Sequence, residues 1–167
     1  METKSKLGET QGRLRIIVER HGKRVSDEQH NLIVSQFKTQ VLHGLTDDGT
    51  GYGLDRIGLG IGTVAPVVAD TGITVPATAP TPVNVSISSY RYAGDVSFLD
   101  PTYTIPAYSI SCYGQLIASE GNGHAYTEAG LFLENNYMVA RRVFEPKSKD
   151  SETVISFEWI ITFTPEA

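Results

Sequence analysis

The side chains of this chain that could act as a general base or bind a transition metal are few and scattered. There are four histidines: His21, His30, His43 and His124. Zinc sites of the HExxH or CxxC type need ligands at short spacing, and neither pattern occurs. Two histidines fall in predicted turns or loops, one precedes a predicted helix and one lies at its end. The pattern favours solvated or locally hydrogen-bonded histidines, and we predict no catalytic residue, no metal and no cofactor.

Cys112 is the single cysteine, so no internal disulfide can form and the fold must be stabilised by packing. It lies in an alternating run with Tyr108, Ile110 and Leu116. That alternation predicts a half-buried strand with a small hydrophobic side chain at Cys112. The sequence therefore favours a structural thiol over a nucleophile.

A run of alternating glycines occupies residues 58–62. It resembles a nucleotide-binding loop superficially, but it lacks both GxGxxG at the start of a helix and a following Gly-Lys-Ser or Gly-Lys-Thr. Ile57, Leu59 and Ile61 alternate with the glycines, which predicts a strand with one bare face. We expect the preceding helix, another backbone or a neighbouring subunit to approach that face closely.

Four glutamates lie on different predicted strands: Glu128, Glu134, Glu145 and Glu158. Glycoside hydrolysis needs two carboxyl groups on either side of one bond, and nothing in the sequence selects such a pair. We therefore predict that the protein is not an enzyme.

Tyrosines are the one feature that a sugar-binding surface would share with a packing surface. Those expected to be exposed are Tyr90, Tyr92, Tyr103, Tyr108, Tyr113 and Tyr126. Flat aromatic rings stack on sugars, but interfaces between proteins are also rich in tyrosine. A carbohydrate-binding module therefore remains an alternative to a protein that packs against other proteins.

Composition and charge exclude several classes of protein. The chain has 167 residues, of which 40% are hydrophobic and 20% charged, as expected for one globular domain. A net charge of -5 and basic stretches interrupted by Glu19 argue against nucleic-acid binding. No segment approaches the about 20 apolar residues of a membrane helix, and the polar start lacks the apolar core of a signal peptide. We expect no nucleic-acid or membrane partner, and synthesis in the cytoplasm.

Residues 1–12 are predicted to form a flexible N-terminal arm, because they show no apolar periodicity and Leu7 is their one large aliphatic side chain. We expect the arm to order only on contact with a partner. Leu14, Ile16 and Val18 then predict a strand, followed by a turn and a second strand around Arg24 and Val25.

One helix is predicted, because Ile33, Phe37, Val41 and Leu45 recur every four residues. Asn31 is positioned to cap its start and Gly44 to end it. We expect this helix to cover one side of a sheet.

Residues 63–82 are rich in proline and predict an extended loop. A loop this long within a compact domain tends to be functional, and we interpret it as a second contact arm. The predicted partner contacts on the two arms are Leu7, Val64, Pro66, Val75, Pro76 and Pro80.

The remainder of the chain alternates as strands, most clearly at its end. The predicted core residues are Ile33, Phe37, Val41, Leu131, Ile155, Phe157, Trp159, Ile161 and Phe163. Residues 13–167 are therefore predicted to form one mostly β domain, an antiparallel β-sandwich or jelly-roll-like fold with one short N-terminal α-helix packed on it.

The order of short motifs resembles that of small structural proteins of tailed bacteriophages. The motifs are N-L-I-V at 31–34, G-x-G-T at 60–63, T-E-A-G-L-F at 127–132 and W-x-I-x-F at 159–163. The resemblance implies a virion protein without catalytic residues, in the tail, baseplate, fibre or collar, with capsid decoration as the alternative. We expect its partners to be copies of itself, in a trimer or larger ring, and other virion proteins.

Overall fold

The computed structural model describes residues 10–44, 52–77 and 82–164. Within these ranges the chain forms nine strands and one helix. They are β1 (Thr10–Arg20), β2 (Lys23–Ile33), α1 (Ser35–Gly44), β3 (Leu54–Gly60), β4 (Asn84–Ser86), β5 (Ser89–Tyr92), β6 (Ser109–Leu116), β7 (His124–Leu133), β8 (Met138–Lys149) and β9 (Thr153–Phe163).

The strands form one antiparallel sheet in the order β4-β3-β7-β8-β2-β1-β9-β6-β5, curled into a half-barrel. Its two edge strands follow each other directly along the chain, because only Ile87 and Ser88 separate β4 from β5. The Ile87 amide donates to the Asp55 carbonyl and the Ser88 amide to the Tyr113 carbonyl. The prediction of a mostly antiparallel β domain with one short helix is confirmed, whereas its assignment to a sandwich or jelly roll stays a prediction.

The sheet bends sharply between β2 and β8. These strands pair only at Leu32 with Arg141 and at Ile33 with Ala140, whereas β2 pairs with β1 along nine residues. The short junction lets the two halves of the sheet turn towards each other and enclose one hydrophobic core.

Strand β9 supplies the centre of that core. Every residue of β9 from Ile155 to Ile161 is buried, so both faces of this strand are covered. Leu14 and Ile16 of β1 lie beside Trp159 and Phe157 in the register. The predicted core residues found buried are Ile33, Phe37, Leu131, Ile155, Phe157, Trp159 and Ile161, and Val41 and Phe163 are partly buried against them.

The predicted start of the helix is wrong by one turn. Asn31 does not cap the helix, and Ile33 ends β2 instead of beginning the apolar stripe. Asn31 pairs with Gly12 of β1, and Ile33 pairs with Ala140 of β8. The ladder hydrogen bonds on these residues outweigh the four-residue periodicity, and α1 begins only at Ser35. Leu45 lies outside the described residues.

The predicted boundary of the N-terminal arm also differs from the structure. Strand β1 begins at Thr10, and residues 10–12 pair with the last residues of β9. A Cβ on Gly12 would lie 2.3 Å from Nδ2 of Asn31, so the glycine leaves room for that side chain of β2. Leu7 lies outside the described residues.

Replacing Trp159 with alanine should lower the free energy of unfolding by about 3–5 kcal/mol, because the indole is fully buried and leaves a cavity. Chemical denaturation of Trp159→Ala measures the loss. Tyr92→Ala is the matched control, since Tyr92 is 61% exposed and its removal should cost less than about 1 kcal/mol. Equal losses for the two variants would contradict the placement of Trp159 at the centre of the core.

Candidate functional site

The bare face of β3 is covered by the chain itself. A Cβ at Gly58 would lie 2.9 Å from the ring of Phe132, and a Cβ at Gly60 would lie 2.6 Å from Cγ2 of Ile73. Ile73 belongs to the proline-rich segment and packs with Phe132 in a small second cluster. The close approach expected from the glycines is therefore made by a neighbouring strand and by the loop.

The second half of the loop is attached to β3 through backbone hydrogen bonds. The Ile61 amide donates to the Val75 carbonyl at 2.9 Å, and the Ala77 amide donates to the Leu59 carbonyl at 3.0 Å. Pro76 lies opposite Gly60 in an isolated bridge. Residues 73–77 are thus held against their own domain, and the interpretation of the segment as a contact arm stays a prediction.

A buried arginine fixes the first half of the loop. Arg141 donates from Nε to Oε1 of Glu128 at 2.9 Å and from Nη1 to Oδ2 of Asp70 at 2.8 Å. Its Nη2 donates to the Val64 carbonyl at 2.8 Å and to the Thr74 hydroxyl. We call these five residues the Arg141 clamp. Each guanidinium nitrogen is therefore used, and three of the four partners lie in the loop.

The Arg141–Glu128 ion pair of the clamp is almost completely removed from water. Arg141 is 1% exposed and Glu128 is fully buried. Burial acts to lower the pKa of Arg141, but hydrogen bonds and charge from Glu128 and Asp70 outweigh it and raise that pKa. Buried ion pairs contribute little net stability, although loss of one partner is costly. The clamp therefore determines the loop conformation more than it adds to stability.

The start of helix α1 holds the same loop from its other side. Ser35 donates to the Val68 carbonyl from its amide at 2.8 Å and from its hydroxyl at 3.0 Å. The Val67 amide donates to Oδ2 of Asp70 at 2.9 Å. The loop is thus fastened at both ends and at its middle.

A second buried carboxylate holds another loop on the outer face of β9. Glu158 accepts hydrogen bonds from the amides of Phe98 and Leu99 at 3.0 and 3.2 Å and from the Ser111 hydroxyl at 2.7 Å. Arg15 of β1 donates to the Ser97 hydroxyl at 2.7 Å, and its guanidinium lies 3.4 Å from Glu158. The sheet is thus covered on its outer face by two loops, each centred on a buried glutamate and arginine.

Asp100 lies at the edge of this second cluster. Hydrogen bonds from the hydroxyl and amide of Thr102 lower the pKa of Asp100, and the charge of Arg15 lowers it further. The carboxylate therefore stays charged near neutral pH and adds a partner, at 3.4 Å, to the Arg15 guanidinium.

The loop held by the Arg141 clamp exposes a group of β-branched aliphatic side chains. We call this group the valine surface, and its members are Ile61, Val64, Val67, Val68 and Val75. Val64 is the most exposed, at 62%. Exposed apolar side chains that occur singly are normal on proteins, whereas an exposed apolar group is typical of an interface.

The predicted partner contacts are distributed unevenly over this surface. Val64, Val75 and Pro76 are exposed, whereas Pro66 is half-buried. Leu7 and Pro80 lie outside the described residues. The sequence prediction missed Val67 and Val68, which lie between Pro66 and Asp70, and their place in a valine-rich loop was the signal that could have found them.

An apolar groove of about 560 Å³ opens at one end of the half-barrel. We call it the aromatic groove. Its lining is Phe37, Val41, Tyr52, Gly53, Leu54, Tyr90, Tyr92, Ile110, Leu133, Ile161 and Phe163. The Tyr90 hydroxyl donates to the Leu54 carbonyl, and burial is the main cause that raises the pKa of Tyr90. Of the other predicted surface tyrosines, Tyr108 is exposed but Tyr126 is fully buried, which corrects its expected exposure.

The remaining candidates for chemistry lie apart from one another. His21 is exposed beside Glu152, with Nε2 2.9 Å from the carboxylate, and burial raises the pKa of the Cys112 thiol to about 12. Glu128 and Glu158 belong to different arginine clusters. Among the residues that the structure describes, no group of three His, Cys, Asp or Glu side chains could hold a metal ion, and no helix has the length and apolarity to cross a membrane.

Comparison of this chain with family models, curated proteins and solved structures finds no match.

Replacing Arg141 with methionine should lower the free energy of unfolding by about 3–5 kcal/mol, because Glu128 is left buried without its cation. It should also release the loop, so that the amides of Ile61 and Thr74 exchange hydrogen faster. Hydrogen exchange with mass spectrometry measures the release. Arg142→Met is the matched control, because Arg142 is half-buried and bonded to Gln29.

The double variant Arg141→Met/Glu128→Leu should recover part of the lost stability, since it removes the uncompensated charge. Its loop should nevertheless exchange faster than in the native chain. Unchanged exchange of residues 61–77 in both variants would show that the clamp does not fix the loop.

Proposed function

We propose that this chain is a non-enzymatic structural protein of a tailed phage particle, and that it packs against copies of itself and other virion proteins in the tail, baseplate, fibre or collar region. The observation that carries the proposal is the valine surface, held in place by the Arg141 clamp. In this proposal the clamp exists to present apolar side chains in one fixed arrangement.

The energetics of association favour such an arrangement. Ordering a mobile loop on binding costs conformational entropy, and a loop that is already fixed avoids that cost. Valine also has few rotamers to lose when a partner covers it. A fixed loop bearing valines is therefore suited to repeated, identical contacts in an assembly.

The residues on which the resemblance to phage structural proteins rests also hold the valine surface in place. The G-x-G-T motif supplies Gly60 and Gly62, which leave room for Ile73 and the Glu128 carboxylate. The T-E-A-G-L-F motif supplies Glu128 itself. The residues that carry the resemblance thus build the base on which the valine surface rests.

A cyclic assembly fits this surface. The valine surface lies on one loop, and contact with a different surface of the next copy would generate a ring. We propose further that the two halves of the curled sheet act as the two layers of a β-sandwich, with the loops on their outer faces directed at neighbours. The product is a trimer or larger ring within the virion.

Capsid decoration is the alternative within the virion class. Quantitative mass spectrometry of a purified particle separates the two, because a tail or collar protein is present in few copies and a decoration protein in numbers comparable with the major capsid protein.

Replacing Val64 and Val68 with aspartate should abolish the trimer or larger ring, because two charges would have to be buried at the contact. Sedimentation velocity measures the assembly, and the melting temperature should change by less than about 3 °C, since both side chains are exposed. Val96→Asp is the control, because Val96 is similarly exposed on the other outer loop. A Val64→Asp/Val68→Asp protein that assembles like the native chain would contradict the proposal.

A carbohydrate-binding module is the second candidate, favoured by the aromatic groove. Tyr92 is the most exposed ring in it, and aromatic rings of this kind stack on sugars. However, no charged side chain lines the groove in the described residues, so few partners for sugar hydroxyls are present. If this candidate is correct, a glycan array should show binding that Tyr92→Ala weakens at least about tenfold, the loss of a stacking contact worth about 1.4 kcal/mol. An array without binding would remove it.

A further inference from the structure

Strand β2 has an open edge. On one side it pairs with β1 from Lys23 to Asn31, and on the other side only Leu32 and Ile33 pair with β8. Within the described residues, positions 23–30 therefore have no strand paired with their backbone on that second side, where β8 contacts them only through side chains. The register with β1 is continuous, without a bulge.

Other edges of the described sheet are shielded. Strands β4 and β5 have three and four residues and join each other, and Pro146 interrupts the corresponding edge of β8. Short strands and prolines are common means of preventing pairing between edges. Strand β2 is eleven residues long and contains no proline, so its edge is available for pairing.

The hairpin turn determines which backbone groups the open edge presents. His21 and Gly22 both have positive φ, 51° and 72°, as in a two-residue type I′ turn. In such a hairpin the flanking residues, Arg20 and Lys23, exchange both hydrogen bonds, and the pattern then alternates along the strand. The N–H and C=O groups of Arg24, Ser26 and Glu28 therefore point outward.

We infer that this edge binds the same edge of a second copy of the chain, antiparallel and centred on Ser26. The inference rests on the proposed function, in which the protein packs against itself. A two-fold axis between antiparallel strands must pass through a pair of identical residues, because adjacent pairs alternate between bonded and non-bonded types. Centring on Ser26 places Arg24 of each copy opposite Glu28 of the other.

Charge selects this register. Arg24 is exposed and has no ion pair within the described residues, and the Glu28 side chain is 39% exposed although it already contacts Arg13 and Arg15. Opposite charges directly across a ladder stabilise it. Centring the ladder on Val25 or on Asp27 would lose both Arg24–Glu28 pairs.

The same register also covers an exposed hydrophobic side chain. Val25 is 66% exposed, and it would lie diagonally opposite Val25 of the second copy, within side-chain reach. Bonds from Lys147 to Asp27 at 2.8 Å and from Arg142 to Gln29 at 2.7 Å hold β2 in position. The edge is therefore already ordered before it pairs.

Sedimentation equilibrium of the full-length Val64→Asp/Val68→Asp variant tests the inference, because this variant lacks the ring contact and is expected to form a dimer. Ser26→Pro should make it monomeric, because proline removes an outward amide in the middle of the edge without removing a bond to β1. Ser26→Ala is the matched control and should remain dimeric. Arg24→Glu should raise the dimer Kd by about tenfold or more, since two attractions become two repulsions.

A mixing experiment tests the register. Arg24→Glu and Glu28→Arg should each weaken the dimer, whereas an equimolar mixture should form a heterodimer in which both opposite-charge pairs are restored. Thermal melting checks that each variant is folded. If Glu28→Arg does not fold, the effects of Arg24→Glu and Ser26→Pro on the dimer Kd test the inference without the mixture. A monomeric Val64→Asp/Val68→Asp variant, or one in which added Ser26→Pro leaves the dimer Kd unchanged, would overturn the inference.

These results are distinguishable from failure of the proposed function. Val64→Asp/Val68→Asp leaves β2 unchanged, so it should keep the dimer while it loses the larger ring. If the ring persists in Ser26→Pro, the proposed function stands, because the ring contact does not involve β2. If the dimer persists in Val64→Asp/Val68→Asp, the β2 contact is supported independently of the ring.

Discussion

A guanidinium and a carboxylate buried side by side impose a strict constraint on whatever covers them. Glu128 and Arg141 lie on neighbouring strands and are shielded from water by one loop. Their polar atoms must find partners in that loop, because an unpaired buried charge costs several kcal/mol. The Thr74 amide, the Asp70 carboxylate and the Val64 carbonyl supply such partners, whereas Oε2 of Glu128 has no hydrogen bond within the described residues. The loop conformation, and with it the exposure of the valines, follows from the pair.

The parts of the fold that were predicted from sequence depend on local periodicity. Strand β9 alternates apolar and polar side chains from Ile155 to Trp159, so the burial of Phe157 and Trp159 is visible without a structure. The glycines of β3 likewise indicated a close approach, although they could not say that Phe132 and Ile73 make it.

The Arg141 clamp could not be predicted because it depends on register. Arg141 stands beside Arg142 in sequence, and the pair resembles a solvated strand face. A bulge between Tyr126 and Glu128 sets which residues of β7 and β8 face each other. The length of strand β2 was underestimated for a related reason. Its polar residues show no apolar pattern, and its length is determined by its pairing with β1.

Solvent paramagnetic relaxation of valine methyl groups, measured by NMR on the free chain and on the assembly, tests the central claim most directly. The methyls of Val64, Val67 and Val68 should be relaxed strongly by a soluble probe in the free chain and protected in the assembly, while Val96 changes little. Equal relaxation of the three valines in both states would contradict the claim that the clamped loop forms the contact.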